Sequence, residues 1–158
     1  MDDVKRLLAI EDIRQLKARY YRCMDTKDWD GLGQVFAPEA VFDLREVNSV
    51  RRPLTGEWTP PYGDETAVHR GHAAVVGMIR NAVTRLVTVH HGHMGEIEIT
   101  SDTSAQAIWA MEDVIRNAPG EPEMSMHGFG HYHDTYVRLD RGWAIQTTRI
   151  TRLYLTRG

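Results

Sequence analysis

Arg19-Tyr20-Tyr21-Arg22-Cys23-Met24-Asp25-Thr26-Lys27-Asp28-Trp29-Asp30, continuing through residues 31–36, Ala37-Pro38-Glu39-Ala40 and Val41-Phe42-Asp43, reads as five pieces. They are the end of a long helix, a tight turn, a short second helix, a stop and a strand. Tyr21 and Asp25 are four residues apart and share one helix face; Tyr20 and Met24 share the neighbouring one. Polar groups placed where a helix should pack mark a candidate pocket floor. The competing reading of Asp25 is a solvated residue at a helix end.

Upstream, Leu7, Ile10, Ile13 and Leu16 continue the helical period into an amphipathic helix of about five or six turns. Asp28 or Asp30 is expected to cap the second helix. Leu32, Val35 and Phe36 form its apolar face, Pro38 ends it, and a strand is expected over 40–44. Residues 48–66 carry Pro53, Gly56, Pro60, Pro61 and Gly63, which predicts a long loop, either a lid over a pocket or a disordered surface loop. A short strand is expected over 67–71, and Val76, Ile79, Val83 and Leu86 mark a third helix.

From there the pattern is extended: 87–100, interrupted near Gly92 to Gly95, then 105–116, 127–139 and 143–155. Turn signals at Ser101-Asp102-Thr103 and Asp140-Arg141-Gly142, and a loop around Pro119 to Pro122, separate these strands. Helices followed by a run of antiparallel strands predict an α+β fold. A cone-shaped curved antiparallel sheet with three helices across its open face would enclose a pocket. Residues 1–158 read as a single domain.

Composition narrows the function. The chain of 158 residues is 42% hydrophobic and 26% charged, with a formal charge of −3. That balance gives no reason to expect nucleic acid or an anionic membrane as partner. One cysteine, Cys23, excludes an internal disulfide. The acidic start lacks an apolar signal-peptide core, and no run has the length of a membrane span, so the expected location is cytoplasmic.

Six of the eight histidines fall in two clusters. In His90-His91-Gly92-His93, strand alternation turns His91 and His93 to the face of Val87 and Val89, and His90 to the other. In the second cluster, His131 and His133 share a face with Phe129, Thr135 and Val137, and His127 precedes them. Between the clusters, Ala105, Ala107, Trp109, Met111, Asp113 and Ile115 alternate onto one face. A carboxylate in such a row needs a partner, and a histidine is the natural one. The opposite face is apolar too, so a satisfied structural carboxylate stays open as the alternative. Asp25 is the second carboxylate, and Arg149, Arg152 and Arg157 are candidates to neutralise acids. His91-x-His93-x4-Glu98 has the spacing of part of a cupin metal motif, but Arg85 and Ala105 replace its flanking glycines. No metal is expected. No nucleophile elbow, dinucleotide fingerprint or phosphate loop is present.

Taken together, several segments resemble the SnoaL-like branch of the nuclear transport factor 2-like superfamily. They are Tyr20 to Asp30, His90-x-Gly92-His93, Glu96-Ile97-x-Ile99, Trp109-x-x-Glu112-Asp113, and Tyr136 before Gly142-Trp143. The set is most similar to the bile acid 7α-dehydratase family, and more distantly to the scytalone dehydratase and hexachlorocyclohexane dehydrochlorinase families. The resemblance implies catalytic roles for Tyr20, Asp25, His90, Asp113 and Arg152. It implies a cofactor-free dehydratase, with His90 as base, Asp25 or Asp113 orienting it, and Tyr20 donating to a carbonyl oxygen. Tyr21, Trp109, Met111, Phe129 and His131 would then contact a small hydrophobic substrate such as a steroid, terpenoid or aromatic polyketide. Double-bond isomerisation, or binding without catalysis, would use the same pocket. Self-association is expected as a homotrimer, with a dimer as the alternative. His91, His127, His131 and His133 have no counterpart in the pattern.

Overall fold

The computed structural model describes residues 2–158. Helices α1 (Asp3–Thr26) and α2 (Trp29–Val35) lead into strand β1 (Phe36–Asp43). A 3-10 turn (Glu65–Ala67), strand β2 (Val68–Arg70) and helix α3 (His72–Val83) follow. Four long strands complete the chain: β3 (Leu86–Ile99), β4 (Ser104–Asn117), β5 (Ser125–Leu139) and β6 (Gly142–Arg157). They form one curved, open α+β sheet in the order β2-β1-β6-β5-β4-β3. No helix among the described residues is long and apolar enough to cross a membrane.

The expected antiparallel sheet is instead mixed, because β1 runs parallel to β6. Hairpin turns force antiparallel pairing only between consecutive strands. β1 and β6 meet from opposite ends of the chain, so no turn dictates their direction. The second helix also stops earlier than Pro38, since Phe36 already begins β1. Pro38 is tolerated inside that strand because the β1–β6 ladder is interrupted between Phe36 and Val41.

Helix α1 starts at Asp2, whose carboxylate accepts from the Lys5 amide at 2.8 Å, and ends at Lys27 in the left-handed conformation, φ 61°. Asp28 caps α2 by accepting from the Gly31 amide at 2.9 Å. Ala9, Ile13, Leu16, Tyr20, Cys23 and Met24 form the buried stripe of α1, while Leu7, expected on it, is exposed. In α3 the buried positions are Val75, Ile79 and Val83, and Leu86 belongs to β3.

One charge lies within the α1 stripe. Lys17 is 1% exposed and its Nζ is 2.8 Å from Asp134 on β5, itself 2% exposed. Asp134 also accepts from the Tyr136 hydroxyl at 2.7 Å and from Thr148 at 2.5 Å. Trp109 Nε1 donates to the Tyr136 oxygen at 2.9 Å. The ammonium lies 4.6, 5.2 and 3.7 Å from the ring centres of Tyr20, Tyr21 and Tyr132. Burial pushes the Lys17 ammonium below its usual range, and Asp134 opposes that shift.

The long loop is pinned along β6 rather than free. Arg157 donates to Asn48 at 2.5 Å, Val50 bridges to Arg152, Arg51 bridges to Trp58, and the Gly63 amide donates to the Arg45 carbonyl at 2.8 Å.

Breaking the Lys17–Asp134 pair from one side leaves a buried carboxylate without a counter-charge. Lys17→Met should cost about 3–5 kcal/mol in urea unfolding at neutral pH. Lys17→Met with Asp134→Asn should recover part of that loss.

Candidate active site

Asp25 occupies the last turn of α1, and His90 lies on β3 facing it. His90 Nδ1 is 2.6 Å from Asp25 Oδ1, and the His90 amide donates to Oδ2 at 2.8 Å. The Thr88 hydroxyl donates to Oδ1 at 2.9 Å and in turn accepts from Lys27 Nζ at 2.9 Å. Burial works to raise the Asp25 pKa, but the hydrogen bonds from His90 and Thr88 outweigh it and hold the carboxyl below the usual range. An ionised carboxylate only accepts, so Nδ1 carries the proton and Nε2 presents its lone pair. The strand phase read from the sequence holds here: the His90 side chain is 6% exposed and that of His91 is 63% exposed.

This pair opens onto a cleft of about 460 Å³ between α1 and β3, lined by Tyr21, Asp25, His90, Gly92, Trp109 and Lys17 among others. A larger hollow of about 700 Å³ lies on the opposite sheet face, among Asp43, Glu98, His133, Thr147 and Arg149. Among the described residues, no imidazole in contact with a carboxylate lines that hollow, where His133 instead meets Thr151, so we place the site in the cleft. None of residues 48–66 lines the cleft, so the loop does not serve as its lid.

Asp113 has a different partner from the histidine anticipated. It is the cross-strand neighbour of His90, yet its carboxylate is held in a fork by Arg152, at 2.9 and 2.7 Å. Both side chains are almost fully buried. Arg152 Nε also donates to the Val47 carbonyl at 3.0 Å, so the fork ties β4 and β6 to the start of the loop. A guanidinium offers paired donors matched to a carboxylate and outcompetes an imidazole for this site. Gly128 makes the approach feasible, because a Cβ there would sit 2.4 Å from Asp113 Oδ1 and 2.6 Å from Arg152 Nη1.

Tyr20 is 1% exposed, is hydrogen-bonded to Tyr132, and is absent from the cleft lining. Met111 is buried against Arg152, with Nη1 to Sδ at 3.4 Å. Trp109 lines the cleft. Phe129 and His131 do not belong to that lining. On β5 the buried positions are Gly128, Gly130, Tyr132, Asp134 and Tyr136, which turns the odd-numbered residues outward. There Phe129 stacks on His127 at 4.7 Å, and His127 shares a 2.7 Å hydrogen bond with Glu112. His91 lies 3.9 Å from Glu112, whereas Glu98 accepts from Gln106 at 2.6 Å, so the cupin-like spacing does not converge. Sequence reasoning missed Lys17 in the cleft lining, and Asp134 and Tyr132 that hold its ammonium. A lysine inside an apolar helical stripe was the available signal.

The SnoaL-like domain family matches residues 5–149. A protein named probable cyclase FGR4, from Gibberella zeae, is 26% identical over 147 residues, covering 90% of this chain and 89% of that one. The crystal structure of a proposed scytalone dehydratase from Novosphingobium aromaticivorans superposes with a TM-score of 0.74 at 18% identity, covering 98% of this chain and 91% of the other. Hexachlorocyclohexane dehydrochlorinase LinA-type3 from Novosphingobium barchaimii gives 0.75 at 17% identity, covering 99% and 94%. These structural likenesses concern the fold.

Asp113, buried, and Asp25, partly exposed, should therefore respond differently to amide substitution. Asp113→Asn strands the Arg152 guanidinium in the interior and should lose about 3–5 kcal/mol in denaturant unfolding. Asp25→Asn, at the cleft surface, should cost less stability and instead perturb the His90 tautomer.

Proposed function

We propose, for a chain that belongs to the SnoaL-like domain family, a cofactor-free dehydration run by the Asp25–His90 pair. His90 Nε2 takes a proton from the carbon next to a carbonyl. Asp25 holds the ring through Nδ1 and stabilises the imidazolium as it forms. The protonated ring, or a water it holds, then delivers that proton to the departing hydroxyl. The products are an unsaturated carbonyl compound and water, with no change in oxidation balance. The observation that carries the reading is the 2.6 Å contact between a carboxylate and an imidazole in an open cleft.

Trp109 gives the cleft an apolar wall. With the resemblance to the bile acid 7α-dehydratase family, this supports a steroid, terpenoid or aromatic polyketide as substrate. A second reading draws on the relative named as a cyclase. There the same proton abstraction would be followed by attack of the enolate on another carbonyl of the molecule, forming a carbon–carbon bond. Isomerisation would return the proton to carbon. We further propose self-association, as a trimer or a dimer, supported by exposed Val87, Val89 and Ile108 on the outer sheet face.

A positioned base supplies about 10²–10⁴-fold in rate. His90→Ala should lose that much in enone formation from a panel of β-hydroxyketones, followed by ultraviolet absorbance, while His91→Ala should lose far less. Equal losses in both would displace the base from His90. Tight binding by the wild type with no turnover of any panel member would favour a binding module.

A further inference from the structure

Among the described residues, two buried side-chain polar atoms have no hydrogen-bond partner: the Tyr21 hydroxyl and Trp143 Nε1. Native proteins leave few such atoms, because an unmet buried donor costs free energy. One of the two belongs to Tyr21, a residue that lines the cleft holding Asp25 and His90. From this geometry we infer that Tyr21 is a catalytic residue, donating its hydroxyl hydrogen to the substrate's carbonyl oxygen. The inference rests on the proton abstraction proposed above and adds the group that receives the developing negative charge.

The placement follows from two periodicities. Tyr21 and Asp25 are one turn apart on the same face of α1, and His90 and Gly92 are two residues apart on the same face of β3. Asp25 meets His90, and Tyr21 meets Gly92, as two successive rungs between helix and strand. The hydroxyl oxygen stands so close to Gly92 that a Cβ there would be 2.6 Å from it, and 2.3 Å from the ring. Glycine at 92 therefore makes the tyrosine's position available. The rungs are separated by about one helical turn, roughly 5.4 Å. Two contacts of about 2.6–3.2 Å bridge that distance when a carbonyl oxygen meets one group and the adjacent C–H meets the other.

The hydroxyl is suited to donate. Burial pushes its pKa up, so at neutral pH it keeps its proton. The Lys17 ammonium lies 5.2 Å from the ring centre. Tyr20, in contrast, has its hydroxyl engaged with Tyr132 and lies behind the cleft lining. The resemblance assigns the donor role to Tyr20; the orphaned atom assigns it to the next residue.

The test is exchange of the α-hydrogens of 2-tetralone in D₂O, followed by proton NMR, alongside thermal melting. The expected result is exchange catalysed by the wild type and abolished in His90→Ala. Tyr21→Phe should reduce it by about 10²–10³-fold, the loss typical of one removed oxyanion donor. Because that hydroxyl makes no internal hydrogen bond, Tyr21→Phe should melt at or above the wild-type temperature, an outcome a structural role would not give. Gly92→Ala, which displaces the ring, should reproduce the rate loss. Exchange at the wild-type rate in Tyr21→Phe, or a rate loss confined to Tyr20→Phe, would overturn this inference and leave the base assignment standing. A wild type no faster than His90→Ala would overturn the proton-abstraction reading itself, and this inference with it.

Discussion

The buried pair of Lys17 and Asp134 is the constraint on which the arrangement depends. It joins the middle of α1 to the middle of the sheet, and the two side chains are 1% and 0% exposed. Two buried ions cost several kcal/mol each to desolvate, and their attraction repays this only when every remaining lone pair is met. Here Tyr136 and Thr148 meet those of Asp134, and three aromatic faces receive the ammonium. Apolar residues of similar volume would stabilise the fold about as well. What the pair adds is registration: α1 cannot rotate or slide without stranding a charge. That fixes Tyr21 and Asp25, one and two turns further along, against β3.

Two other carboxylates, Asp113 and Asp25, illustrate how partner choice separates roles. Asp113 and Asp25 both approach the end of the sheet that carries His90, and Asp113 is even its cross-strand neighbour. The fork of Arg152 reaches Asp113 first, and Gly128 clears the space for it. That carboxylate becomes a strut between β4, β6 and the start of the long loop. Asp25, partly open to the cleft, is left with the imidazole. One acid is consumed by architecture, and the other is available for chemistry.

Most of the fold was legible because its signals are local. The period of α1, the turns before β4 and β6, and the alternation in β4 each require only neighbouring residues, and the inward phase of His90 follows from alternation alone. The failures involve distance along the chain. The parallel β1–β6 pairing, the strand that starts at Phe36, and the Asp113–Arg152 fork depend on residues more than thirty positions apart. Phe129 and His131 suit a substrate contact by residue type, but their alternation with Tyr132 and Asp134 turns them outward. Lys17 was overlooked because a lysine on a helix is usually solvated. Its position between Ile13 and Tyr20, in step with both, was the legible clue.

The account stands on the state of one ring. If Asp25 accepts from Nδ1, His90 holds its proton there and keeps Nε2 free as the base. Long-range ¹H–¹⁵N correlation NMR at pH 8, with His90 assigned by comparison with His90→Ala, reads this directly. The account predicts a protonated Nδ1 and a bare, pyridine-like Nε2, with the pattern lost in Asp25→Asn. A proton resident on Nε2 in the wild type would contradict it, because the nitrogen meant to take the substrate's proton would already be occupied.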